Sequence, residues 1–98
     1  MSDLHVWRVD HDGLSSYYVA RTAFEAREWH YHQEGVRPPT SFFRPVPPAT
    51  RLRYTDECGS GDPARDTTEG TAAELATPER EGWLWTGERA EIEGGTRG

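Results

Sequence analysis

Ninety-eight residues, 34% of them apolar and 29% charged, allow one domain with one modest core. That core has to be built largely from four Trp, four Tyr and three Phe, because large rings supply the burial that many aliphatic residues supply elsewhere. No apolar run approaches the ~20 residues that cross a bilayer, and a single cysteine excludes an internal disulfide.

The net charge of −6 is unevenly spread. Residues 1–54 carry seven arginines against six acids, and residues 55–98 carry four against eleven. The acidic second half argues against direct binding to DNA or RNA and suits a basic surface on another protein. A solvated acidic segment that aids solubility is the plainer reading of the same charges. All eleven cations are arginine, a usage expected of a GC-rich genome. The opening MSDLHVWRVD lacks the basic and long apolar segments of a secretory signal, so the expected location is a reducing cytoplasm.

Leu4 to Val9 predicts a first strand, with Leu4, Val6 and Arg8 on one side and His5, Trp7 and Val9 on the other. Asp10-His11-Asp12-Gly13 predicts a tight turn, and Ser16 to Ala20 a second strand, making a hairpin. Thr22-Ala23-Phe24-Glu25 has the form of a capping box. It opens a helix from Ala23 to about Glu34, closed by Gly35 as a left-handed cap and by Pro38-Pro39. At ~100° per residue, Ala23, Phe24, Ala26, His30 and Tyr31 share one broad face. Arg27 falls within that stripe, Trp29 lies on its border, and Glu25, Glu28 and His32 lie opposite.

Residues 37–48 hold a proline-rich loop, expected to be extended and anchored by Phe42 and Phe43. Arg51 to Thr55 regains strand character, Asp56 to Arg65 reads as turn and loop, and Thr71 to Ala76 as a short helix ended by Thr77-Pro78. Gly82 to Thr86 reads as a last strand with Trp83 and Trp85 on one face. Residues 89–98 are expected to be a disordered tail. The predicted fold is therefore a single α+β domain over 1–88, of order β-β-α-β-α-β. Its antiparallel sheet has three to four strands, with one main helix on one face.

No catalytic or metal-binding signature emerges. His30 and His32, two apart, point ~200° apart on a helix and cannot share a metal, for which i,i+4 is the helical spacing. His30 reads as a core histidine with a hydrogen-bond partner. Cys58 has Asp56 and Glu57 beside it, which would raise its pKa rather than activate it. Gly59-Ser60-Gly61 lacks the Gly-Lys-Ser/Thr of a phosphate-binding loop, and no two carboxylates stand out as an acid–base pair. Arg8, Arg21, Arg27, Arg51 and Arg53, interleaved with Trp7, Tyr17, Tyr18 and Tyr54, would form a single-strand nucleic-acid platform if they shared an open sheet face. Trp, Tyr and Arg also carry binding energy at protein interfaces.

The segments VWRVD, YYVARTAFEAREWHYHQEGV, LRYTDE, TAAELA and GWLWTGE resemble small acidic proteins encoded by bacteriophages and prophages. Those run strand, a T-x-x-E-A helix start, a T-D-E strand end, a short helix and a final strand. The long proline-rich middle departs from that pattern. By analogy, some such proteins block host defence by covering a basic nucleic-acid-binding surface, as anti-CRISPR proteins do. The resemblance implies a non-enzymatic, cofactor-free inhibitor or accessory protein that docks on a larger host protein. Its contact residues would be Glu25, Glu28, His32, Asp56, Glu57, Glu69 and Glu74 as the acidic set, with Trp83 and Trp85 as aromatic anchors. The alternative is a small nucleic-acid-binding regulator using the arginine and aromatic sheet face.

Overall fold

The computed structural model describes residues 3–55 and 67–92. The readings of Asp56, Glu57, Cys58 and the glycines after it, and of residues 93–98, lie outside the described residues.

Strands β1 (His5–His11) and β2 (Leu14–Ala20) form the expected hairpin. His11 pairs with Leu14, so two residues make the turn. Both have positive φ, 55° at Asp12 and 80° at Gly13, as a type I′ turn requires to match strand twist. Helix α1 (Ala23–Glu34) starts where the Thr22 hydroxyl accepts from the Glu25 amide. The Glu25 carboxylate reaches one residue further back than a capping box has it, accepting from the Arg21 amide at 3.1 Å. Gly35 closes the helix at φ 81°, its amide donating to the Tyr31 carbonyl at 2.7 Å, the left-handed cap that a Cβ would oppose.

The proline-rich stretch is more ordered than a loop. Thr40–Phe42 make a 3₁₀ turn, and Arg44–Pro45 form a short edge strand, β3, antiparallel to β1. An edge is where a proline can sit in a sheet. Phe43 is buried while Phe42 is exposed, so one ring, not two, anchors this segment. The Arg27 guanidinium donates to the Pro38 carbonyl at 2.9 Å, which explains an arginine inside the apolar stripe.

The second half adds β4 (Arg51–Thr55), β5 (Thr67–Thr71), helix α2 (Ala72–Leu75), β6 (Gly82–Gly87) and β7 (Glu91–Ile92). Here the single predicted sheet is corrected to two antiparallel sheets. One is ordered β3-β1-β2-β6 and the other β5-β4-β7. The predicted end of the domain at Glu88 is also too early: Ala90 is buried and β7 pairs with β4. Arg8 of β1 holds this end through one guanidinium nitrogen, Nη1, which donates to both Glu91 oxygens at 2.8 and 3.0 Å. Neither residue alone announces a strand.

The four-stranded sheet is covered on both faces. One face, with α1, encloses Val9, Tyr18, Ala20, Ala26 and Phe43. The other packs Leu4, Val6, Tyr17 and Val19 against Leu52 and Tyr54 of the second sheet and against Ala72 and Leu75 of α2. This is why Ser16 to Ala20 is buried without a break. Burial on both faces removes the alternation of a half-exposed strand. Each large apolar side chain withdrawn from water here contributes about 1.5–3 kcal/mol.

Strand β6 contains a bulge. Tyr17 lies opposite Trp85 and Tyr18 opposite Trp83, so Leu84 is the extra residue. Leu84 and Trp85 therefore pack on the second-sheet side, and Trp83 packs on the α1 side. The two indoles do not share a face, contrary to the alternation expected of a regular strand.

Candidate functional site

Helix α1 rests on the sheet through a narrow line, Ala26 and His30, both essentially inaccessible. Because that line is narrow, both flanks of the helix stay open. Phe24 and Tyr31 emerge on one flank, at 58% and 40% exposure, although helical periodicity groups them with Ala26 and His30. Arg37 covers Tyr31, its guanidinium carbon 3.8 Å from the ring centroid.

The opposite flank carries the feature of most interest. Glu25, Glu28, Trp29 and His32 of α1 meet Glu81, just before β6, around an open groove of about 280 Å³. The Trp29 indole is exposed along one side and lies against the backbone of Gly82 on the other; a Cβ at Gly82 would stand 3.5 Å from the ring. Trp29 and His32 approach with ring centroids 6.2 Å apart. Three carboxylates thus ring one indole.

Each carboxylate is held. Glu25 accepts from the Arg21 amide, Glu28 takes two bonds from Arg37 at 3.1 Å, and Glu81 pairs loosely with Arg21 at 3.4 Å. The Arg37 hydrogen bonds keep the Glu28 carboxyl below its usual range, so it stays ionised. A carboxylate has about four acceptor positions, so these bonds orient the groups without exhausting them.

The predicted contact residues thus divide. Glu25, Glu28 and His32 come together in the groove. Glu69 lies on β5, paired with Arg51 at 2.9 Å, which lowers its pKa. Glu74 closes a complete capping box on α2 with Thr71. Asp56 and Glu57 lie outside the described residues. Trp83 and Trp85 are half-buried. Trp83 donates to the Thr86 hydroxyl at 2.8 Å, and Trp85 stacks on Tyr54 and donates to the Glu88 carbonyl. Sequence reasoning missed Trp29 and Glu81 as members of the site. Trp29 stood at the border of the helix stripe, which was a usable signal. Glu81 joins only through the fold and had none.

The arginine and aromatic platform does not assemble. Tyr17 and Tyr18 are enclosed in the core on opposite faces of the sheet. Arg8 is committed to Asp10 and Glu91, and Arg27 to Pro38. Of that set, Arg53 and Tyr54 remain beside Trp85 in a shallow cleft.

One buried polar pair lies beneath α1. The Tyr18 hydroxyl meets His30 Nδ1 at 2.6 Å, while His30 Nε2 is buried with no hydrogen-bond partner among the described residues. Burial lowers the His30 pKa; Glu34 opposes that shift and His11 adds to it. Burial likewise raises the Tyr18 pKa. Both rings are therefore neutral near pH 7, and His30 serves packing, as its sequence context suggested.

No group of three or more His, Cys, Asp or Glu among the described residues could hold a metal ion. No helix among them is long and apolar enough to cross a membrane. No family model matches the chain, and comparison with curated proteins and with solved structures likewise found no match.

Proposed function

We propose that this protein works by docking, without making or breaking bonds, on a basic surface of a larger protein. The observation that carries the reading is the groove, where Glu25, Glu28 and Glu81 surround an exposed Trp29. An arginine or lysine of a partner laid on that indole would gain a cation–π contact of ~0.5–2 kcal/mol. It would sit within reach of three carboxylates, each exposed pair adding up to ~1 kcal/mol. The uneven charge of the chain supports the same polarity of partner and would speed encounter more than it tightens the complex.

The most concrete form of the proposal is an inhibitor carried by a phage or mobile element. It would occlude a basic nucleic-acid-binding surface of a host defence complex, in the manner of an anti-CRISPR protein. The resemblance in sequence pattern and the acidic groove support that form.

The test is cross-linking capture from bacterial lysate at about 0.05 M and about 0.5 M salt, across which exposed charges become screened. The wild type is compared with a Glu28→Arg/Glu81→Arg variant. A partner cross-linked through a basic surface and lost both at high salt and in the variant is expected. A partner retained equally in all conditions, or turnover of a small molecule by the purified protein, overturns the proposal.

A further inference from the structure

The four sheet edges are not alike. The outer strand β3 has two residues, one of them Pro45, and β7 has two residues including Glu91. β5 carries Glu69. Short length, proline and charge are the usual devices that keep an edge from pairing with another chain. β6 has none of these three, and a bulge is its one protective feature. It runs six residues, Gly-Trp-Leu-Trp-Thr-Gly, with no charge and no proline. It is the last strand of its sheet, and no backbone hydrogen bond links it to any described element but β2. Its bulge adds twist, and its outer row of amides and carbonyls stays unpaired among the described residues.

The acidic groove opens at the start of this edge. Glu81 precedes β6 directly, Gly82 is its first residue, and Trp29 lies on Gly82. α1 lies on one face of the sheet with its Trp29 flank toward β6. A strand added beside β6 would send alternate side chains to that face, and the one level with Gly82 would arrive at the groove.

We propose that the partner presents an extended segment that adds as a fifth strand to β6 and places an arginine or lysine on Trp29 between Glu25, Glu28 and Glu81. Main-chain hydrogen bonds supply affinity that is indifferent to sequence, and the groove supplies the choice of side chain. Charge decides the occupant. Two copies joined edge to edge through β6 would set two chains of net charge −6 against one another. A basic strand meets complementary charge instead. The inference rests on the docking proposal and narrows it to one mode of recognition.

The test is selection of random nine-residue linear peptides on the intact protein, with amide hydrogen exchange measured in the free and bound states. Selected peptides should be rich in β-branched residues around one arginine or lysine. On binding, outward amides of 82–87 that exchange fast in the free protein should slow by ~10-fold or more. Methylating alternate peptide nitrogens should abolish binding. Trp29→Ala should weaken it by about 2- to 30-fold, the cation–π share, and Glu81→Arg, which leaves the indole in place, should also weaken it. Peptides that bind without slowing these amides, selections with no basic residue, failure to select any peptide, or slow exchange at β6 in a free protein that sediments as a dimer each overturn it. If charge reversal abolishes capture of a basic partner while β6 exchange is unchanged, the docking proposal stands and the added strand falls.

Discussion

Tyr18→Phe removes one oxygen from the middle of the protein, and the structure says what that should cost. The hydroxyl is buried and sits 2.6 Å from His30 Nδ1. Ser16 and Thr86 nearby bond to one another at 3.0 Å, and Thr86 also accepts from Trp83. Those hydroxyls keep partners when the phenol goes, so the loss falls on His30. His30 would then have both ring nitrogens buried and unpaired, since Nε2 already has no partner among the described residues. A net hydrogen bond is worth about 1 kcal/mol, and a stranded buried group costs about 1–3 kcal/mol. A loss near 2 kcal/mol follows, or a fall in Tm of about 8–16 °C for a domain of this size. Urea unfolding followed by tryptophan fluorescence measures it. In Tyr18→Phe/His30→Leu both polar partners are gone, so the double variant should be less destabilised than the two single losses summed, by ~1 kcal/mol. A Tyr18→Phe cost below ~0.5 kcal/mol, or strict additivity, would refute the idea that this pair is a coupled buried contact.

His30 also makes stability depend on pH. Its folded pKa lies below the usual 6.5, so the unfolded chain takes up a proton first. Stability should therefore be full above about pH 6.5 and decline as pH falls toward the folded value, by at most ~1.4 kcal/mol per pH unit. His30→Leu should flatten that slope in urea titrations between about pH 7.5 and 5.5. A second decline, starting within the ordinary carboxylate range and running down to the lowered folded values, is expected from Glu28 and Glu69, whose pKa values Arg37 and Arg51 lower. Arg8→Met should leave Glu91 with only its longer 3.3 Å contact to Arg89, cost ~1–2 kcal/mol, and speed amide exchange at 90–92 before other sites. Thr71→Ala should cost about 1 kcal/mol through the lost cap of α2, read from the same unfolding curves.

The hairpin and α1 were legible because their causes are local. Asp12-Gly13 admits positive φ at both turn positions, Thr22 and Gly35 cap the helix within one turn of its ends, and Pro38-Pro39 stop it. Thr71-Ala-Ala-Glu74 carries the same local signal as Thr22-Ala-Phe-Glu25, and it forms the more complete capping box of the two. Most of the readings that failed needed a partner distant in sequence. Leu84 forms a bulge only because β2 lies beside it, and that one extra residue sends Trp83 and Trp85 to opposite faces. Phe24 and Tyr31 look apolar at helical spacing. Whether they are buried depends on the angle at which Ala26 and His30 seat α1 on the sheet.

The site shows the same division. Periodicity alone places Glu25, Glu28 and His32 on the outward side of α1, since ~100° per residue leaves them opposite Ala26 and His30. It cannot bring Glu81 to them, lay Trp29 against Gly82, or leave β6 at a sheet edge. Composition required an acidic second half, but the ring-built core it suggested is corrected: among the described residues the core is mostly Leu, Val and Ala, with Tyr17, Tyr18, Phe43 and Tyr54 as its buried rings and no Trp fully enclosed. Backbone preferences at a handful of Thr, Gly and Pro positions marked where elements begin and stop. Strand order, register and the second sheet came from pairing between segments as far apart as Arg8 and Glu91. Such pairing depends on which surfaces fit once the chain has collapsed, and no short window of residues encodes that choice.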